Sequence, residues 1–558
     1  MNVTAAFTGA LPIIIIVSAV LTALVSVSLL WLYRRAVVRA MNVQAQAGIG
    51  ATSPKSVSTS TAVRTRSFPV LAIIDSASQP EIASAGKTAY HQAMRSLKQA
   101  ALVYAIAGLV YALILTSAWM ITAGGGFIVV RFLLLLSYYT WPIVLVVSLL
   151  IPTGRSRFIP VYFAILLAVA IIGLIRNPDL TARQLVYLWF FANGPGSVLL
   201  LAFLHRRVRA VGPLVLAFMV AAVTGAVVIV SLVGSSQGLM RGVVNVGSVL
   251  GMRAMVIFIM LHVIGFGLFG LLGWPLLRRL GRRYQEKRMS DQSISLDALW
   301  LLFGVVQSFT LVFEGWAWIF TGLVAFVGYK LALRICFTVL SRDRRDSAKA
   351  RLLLLLRVFS LGQRSERLFD MISNVWLRSG SIALIAGPDL VTSTVEPHEF
   401  LNFLSGRLSR QFVEGEADLE QRVSRMDTKP DPDGRHRVNE FFCRADTWQM
   451  TMQQLAGQSN AVLMDLRSFS KSNQGCIYEL QQLMNNIPLS GVVLVIDDST
   501  DRTFLEMAVR KIWQNLEASS PNVELSEPTV RCFSVKQQSP AEMERLLLIL
   551  FNAQTAVG

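Results

Sequence analysis

The chain has 558 residues, of which 53% are hydrophobic and only 15% charged, with a formal net charge of +18. So apolar a composition excludes an ordinary soluble globular protein, and the length leaves room for several domains. Nucleic acid is not the expected partner, because the arginines cluster in short loops beside apolar runs and no basic stripe interleaved with aromatics occurs in the polar region. A lipid bilayer is.

Residues 11–33 form the first apolar run, followed by Arg34, Arg35 and Arg39. No positive charge precedes the run, so residues 1–33 read as a spanning helix with its N-terminus outside rather than a cleaved signal peptide. Residues 34–98 form a basic insert, Ser/Thr-rich between 44 and 67, expected to be cytoplasmic and partly disordered. Further apolar runs cover 100–123, 127–151, 158–175, 185–204, 213–234, 254–277, 296–313 and 316–340, each near the roughly 20 residues a crossing needs. With the first run these predict nine helices, eight of them in a membrane domain at 99–340.

The basic loops at 155–157, 205–209, 278–288 and 342–345 fall on the same side as the first basic loop. That alternation predicts a multi-pass protein of a bacterial-type plasma (inner) membrane with its C-terminal region in the cytoplasm. Inside the runs, Arg131, His262, Gln307, Glu314 and Lys330 are the polar exceptions; Arg131 and Lys330 read as residues near helix ends, where long side chains snorkel to water. Asn193-Gly194-Pro195-Gly196 breaks a run at mid-depth. Broken helices line substrate sites in transporters, so a solute transporter or channel with a cytosolic regulatory domain is the alternative function.

Residues 341–379 read as a juxtamembrane connector, in which Leu352 to Leu356 are too few to span and form a strand or link. Beyond them strands at 381–386, 437–443, 461–464, 491–496 and 529–535 alternate with helices, and the charged stretch 414–436 reads as an exposed loop. Five alternations predict a doubly wound, flavodoxin-like parallel sheet over 380–558. The four cysteines, Cys336, Cys443, Cys476 and Cys532, are too scattered for a metal site and fit free thiols in a reducing compartment.

In such a sheet, ligands bind beyond the carboxyl ends of the strands. Gly387, Pro388 and Asp389 follow the first strand, Trp448 the second, and Asp465, Arg467 and Phe469 the third, with Glu479 near the start of the next helix. A purely structural reading makes Glu479 an exposed helix carboxylate, Trp448 a core anchor and Asp465–Arg467 a local ion pair.

The strand at 461–464, its polar crest, and then Ser472, Gly475, Cys476, Glu479 and Leu480 on the following helix resemble the Toll/interleukin-1 receptor (TIR) family. That family shows a Ser, an aromatic-Cys pair and a Glu-Leu at this point; here Gly475 stands where the aromatic is usual. The resemblance covers about residues 380–555 and nothing in the membrane half. It implies a cytosolic TIR-like domain that signals through homo-oligomeric or protein contacts or recognises a nucleotide. In enzymatic members the equivalent glutamate cleaves nicotinamide from NAD, which implies Glu479 as the catalytic residue, NAD as substrate, and the strand-end residues above as its binding edge. A carboxylate suits that chemistry because it stabilises an oxocarbenium-like sugar centre. No Walker or G-x-G-x-x-G phosphate loop and no zinc-protease or kinase signature occurs in a convincing context.

Overall fold

Uninterrupted apolar runs fold into the longest helices of this computed structural model, which describes residues 3–47, 69–77, 84–124, 126–151, 155–176, 181–187, 211–309, 314–344, 351–358, 363–387 and 395–555, with isolated positions between them. Among these residues, six helices are long and apolar enough to cross a membrane: Ile14–Met41, Ser84–Thr122, Val129–Ser148, Gly212–Ser235, Ala254–Gln285 and Thr321–Leu340. The run at 158–175 forms a shorter apolar helix, and most of the run at 185–204, with Asn193, Pro195 and Gly196, lies outside the described residues. Residues 296–309 of the run at 296–313 fall within a helix, Asp291–Phe309, that begins with an acidic turn and is outside the six.

The chain divides into two units. The first comprises Met1–Trp31, Lys98–Asp346 and Val395–Leu401. Its helices meet through glycines. A Cβ on Gly225 would lie 2.5 Å from the Gly265 carbonyl oxygen, and one on Gly304 would lie 2.8 Å from that of Gly322. Only a missing side chain lets backbones approach so closely, which is how apolar helices associate where no hydrophobic effect separates lipid from protein. Tyr104, Tyr111, Trp300, Phe303 and Tyr329 fill part of this interior.

The second unit comprises Leu32–Leu97, Ser347–Thr394 and Asn402–Gly558. Its centre is a seven-stranded sheet: β1 (Ala72–Asp75), β2 (Arg351–Arg357), β3 (Gly380–Ile385), β4 (Val438–Phe441), β5 (Ala461–Asp465), β6 (Val492–Ile496) and β7 (Thr529–Ser534). The order is β1-β7-β6-β5-β2-β3-β4, with every pairing parallel. Both faces are covered. Leu352, Leu354 and Leu356 point to the layer formed by helices Trp448–Gln458, Gln474–Asn486 and Arg502–Gln514, while Leu353 and Leu355 point to helices Gln363–Trp376 and Pro540–Thr555. A strand buried on both sides must be apolar at every position, which explains five consecutive leucines.

Four expectations change. The leucine run is an interior strand of the sheet, paired on both sides, so the α/β unit does not begin at 380. The basic insert supplies β1 at the opposite edge, and Ala89, Tyr90 and Ala93 of helix Ser84–Thr122 pack beneath the sheet, so that part of 34–98 is ordered. The five expected strands keep a flavodoxin-like order among themselves, but β2 is wedged between the first and third of them, giving seven strands in place of five. The stretch 414–436 is no open loop either: it holds a helix, Glu416–Ser424, that buries Leu419 and Val423, and Arg437 grips Asp431 through Nε and Nη2 at 3.0 and 2.7 Å.

Candidate functional site

From β2 the chain passes to β3 and β4 on one side; it then crosses back to β5 and proceeds to β6 and β7 on the other. The reversal lies between β2 and β5, and in open parallel sheets the crevice at such a reversal is where ligands sit. The last residues of the two strands, Arg357 and Asp465, are partners in register. Each closes an apolar run, because charge is tolerated where the strand leaves the core and not before.

Arg357 is buried and donates from Nη1 to the Ile385 carbonyl at 3.3 Å. Two residues beyond β5, Arg467 is fully buried and clasps Asp465, Nε to Oδ1 at 2.7 Å and Nη2 to Oδ2 at 2.6 Å, with Nη2 also donating to the Arg364 carbonyl at 3.1 Å. Its Nη1 is buried with no hydrogen-bond partner. Arg364, half-exposed at the start of helix Gln363–Trp376, forms an ion pair with Asp497 just beyond the end of β6. Three arginines and two aspartates thus converge on the carboxyl ends of β2, β5 and β6.

Glu479 lies on helix Gln474–Asn486, within the layer covering β5, and is 4% exposed. It is therefore not the exposed helix carboxylate of the structural reading. Burial pushes its carboxyl up to about 8, against a partial offset from the nearby Arg357 guanidinium. Its Oε2 is shielded without a hydrogen-bond partner. A shielded polar atom left unpaired costs about 1–3 kcal/mol, so the fold carries two such costs here, at Glu479 and Arg467. Burial, with Glu479 and Asp465 nearby, also pushes the Cys476 thiol up to about 12, which makes it inert as a nucleophile at neutral pH.

The remaining expected residues divide. Gly387 is buried just past β3, whereas Pro388 and Asp389 lie outside the described residues. Trp448 opens its helix half-buried, with Tyr478 edge-on at 5.5 Å, and is packed against the core. Phe469 is fully buried and stacks on Phe504 at 5.7 Å, so it supports the crest from below and lines no open edge. Sequence reasoning missed Arg357, Arg364 and Asp497 as site residues. The available signal was a charge at the first position after an apolar run, but only the strand order says which of those ends are neighbours.

The membrane unit holds a second buried constellation. Lys330 was expected near a helix end; it is ten residues into the twenty-residue span Thr321–Leu340, and its Nζ donates to Asp297 Oδ2 at 2.6 Å. His262 bonds the Phe258 carbonyl of its own helix through Nδ1 at 2.9 Å. Gln307 accepts from the Tyr111 hydroxyl at 3.0 Å. Among the described residues no cluster of three or more His, Cys, Asp or Glu could hold a metal. The chain matches no family model, no curated protein and no solved structure.

Proposed function

We propose that this chain is an integral membrane protein whose α/β unit recognises an anionic, nucleotide-type ligand at the crevice between β2 and β5 and signals its occupancy to a protein partner or to a second copy. The observation that carries this reading is the convergence of Arg357, Arg364 and Arg467 on neighbouring strand ends at the topological reversal. Arginine forks suit phosphate and carboxylate groups, and the half-exposed Arg364–Asp497 pair is the one an incoming anion can displace most cheaply. The basic loops favour an inner-membrane orientation with the N-terminus outside and the α/β unit in the cytoplasm.

The TIR resemblance extends the proposal to NAD cleavage by Glu479. Its position over the β5 crest favours that version. At neutral pH, however, a carboxyl whose affinity for a proton is raised to about 8 is mostly uncharged, so it stabilises no oxocarbenium centre until the crevice opens to water or Arg357 moves closer.

The full-length chain in detergent is the material for the test, since a fragment starting near residue 380 lacks β1 and the interior strand β2. Binding of NAD and of ADP-ribose is measured for the wild type and for Arg364→Ala. A loss of about tenfold or more in the variant supports recognition, the amount expected for one charge-assisted contact; no binding by either protein removes the proposal. Incubation with NAD then compares wild type with Glu479→Ala. Equal nicotinamide release from both, or none from either, eliminates the enzymatic version and leaves recognition.

A further inference from the structure

Ionisable groups inside a membrane bundle are expensive and mark functional positions more often than packing requires. Asp297, on helix Asp291–Phe309, is 8% exposed. One of its oxygens takes the Lys330 ammonium, whereas Oδ1 is shielded without a hydrogen-bond partner. The hydroxyl of Tyr329, adjacent in sequence to Lys330, is likewise buried without a partner. Tyr329 packs against Trp300 at 5.1 Å, and Trp300 against Tyr111 at 4.7 Å. The lysine is different. Its side chain is 41% exposed, against 10% for that of Asp297.

We propose that Asp297 is a proton-binding site of the membrane unit, with Lys330 as the internal cation that competes with the proton. In one state the ammonium neutralises the carboxylate. In the other, a proton delivered from water adds to a carboxylate oxygen, the Nζ–Oδ2 bond breaks, and Lys330 swings toward its exposed side with its own proton retained. Return of the ammonium expels the proton, so one proton is taken up and one released in each cycle. The carboxylate is faced by Lys330 and Tyr329 from helix Thr321–Arg344. Helix Gly212–Ser235 and the short turn Trp316–Phe320, which also pack on its helix, carry no ionisable residue, and Asp291 opens that helix. Lys330 is therefore the charge that decides the equilibrium. This site is separate from the strand-end crevice and stands whether or not that crevice binds a nucleotide.

Difference infrared spectroscopy tests it on the full-length chain in lipid vesicles, comparing alkaline with acidic buffer. The wild type shows a protonated-carboxyl stretching band that disappears in Asp297→Asn and moves in frequency in Asp297→Glu, which retains the acid if the amide variant fails to fold. In Lys330→Met the band appears at higher pH, because no ammonium holds the carboxylate ionised. A difference spectrum unchanged by either Asp297 substitution overturns the proposal. So does a Lys330→Met protein that titrates at the same pH as wild type, and so does a wild-type carboxylate that stays ionised over the whole range in which the chain stays folded; each result makes the pair a packing element only.

Discussion

Two Asp–cation pairs, one in each unit, solve the same electrostatic problem differently. Asp465 and Arg467 are two residues apart and joined by two parallel hydrogen bonds, with a backbone carbonyl taking a further guanidinium proton. Asp297 and Lys330 are 33 residues apart on different helices and joined by a single bond that leaves one carboxylate oxygen bare. Where a strand leaves the sheet, loop carbonyls and amides are at hand to solvate a charge. Along a membrane helix every carbonyl already serves the helix, so a charge has only the side chain it happens to meet. The first pair is therefore held by more bonds than the second.

Breaking the first pair should have the largest effect. Arg467→Ala leaves Asp465 buried and uncompensated, at a cost of about 3–5 kcal/mol to the α/β unit, seen as a lower denaturant midpoint. The helix crossing comes next: a Cβ on Gly322 would lie 2.0 Å from the Gly304 carbonyl oxygen, so Gly322→Leu must push the helices apart. A loss of roughly 1–3 kcal/mol is expected in the membrane unit, read as a reduced thermal midpoint in detergent with the α/β transition unmoved.

Glu479 sharpens the contrast through pH. Its carboxyl is raised from 4.5 to about 8 in the folded chain, so the folded state holds the proton more tightly than the unfolded one. The stability associated with that proton is fully present below the unfolded value and is lost as pH rises through the folded one. Glu479→Gln should abolish that slope and, above the folded value, leave the unit more stable than wild type by roughly 1–3 kcal/mol. A variant with an unchanged pH profile would remove the buried-acid description. The smallest effect belongs to Trp513→Phe, which deletes the indole hydrogen bond to the Pro69 carbonyl at 2.9 Å. A cost of about 1 kcal/mol, with faster proteolysis near residue 70, checks that the insert is tied to the sheet.

Much of the α/β unit is legible in one dimension. Strands 461–464 and 491–496 read as apolar runs closed by Asp465 and Asp497, and they are the strands found. The leucine run was ambiguous for a physical reason: a strand buried on both faces and a stretch bound for lipid are equally apolar, and only its neighbours in space tell them apart. β1 was missed because Val70 to Ile74 is short and follows a Ser/Thr-rich tract, so local composition outweighed the small run. Of the candidate site, Asp465, Arg467 and Glu479 were legible, since polarity after an apolar run marks a strand end wherever that strand is placed.

The residues alone determine where the chain is apolar, where the charge must stop, and which positions seek burial, because those depend on each side chain's own transfer energy. The tertiary structure decides that Arg357 lies beside Asp465, that Arg364 reaches Asp497, and that Lys330 meets Asp297. Such pairings depend on how the chain crosses the sheet and how two helices pass at a glycine, and geometry of that kind is a property of the assembled fold rather than of any segment.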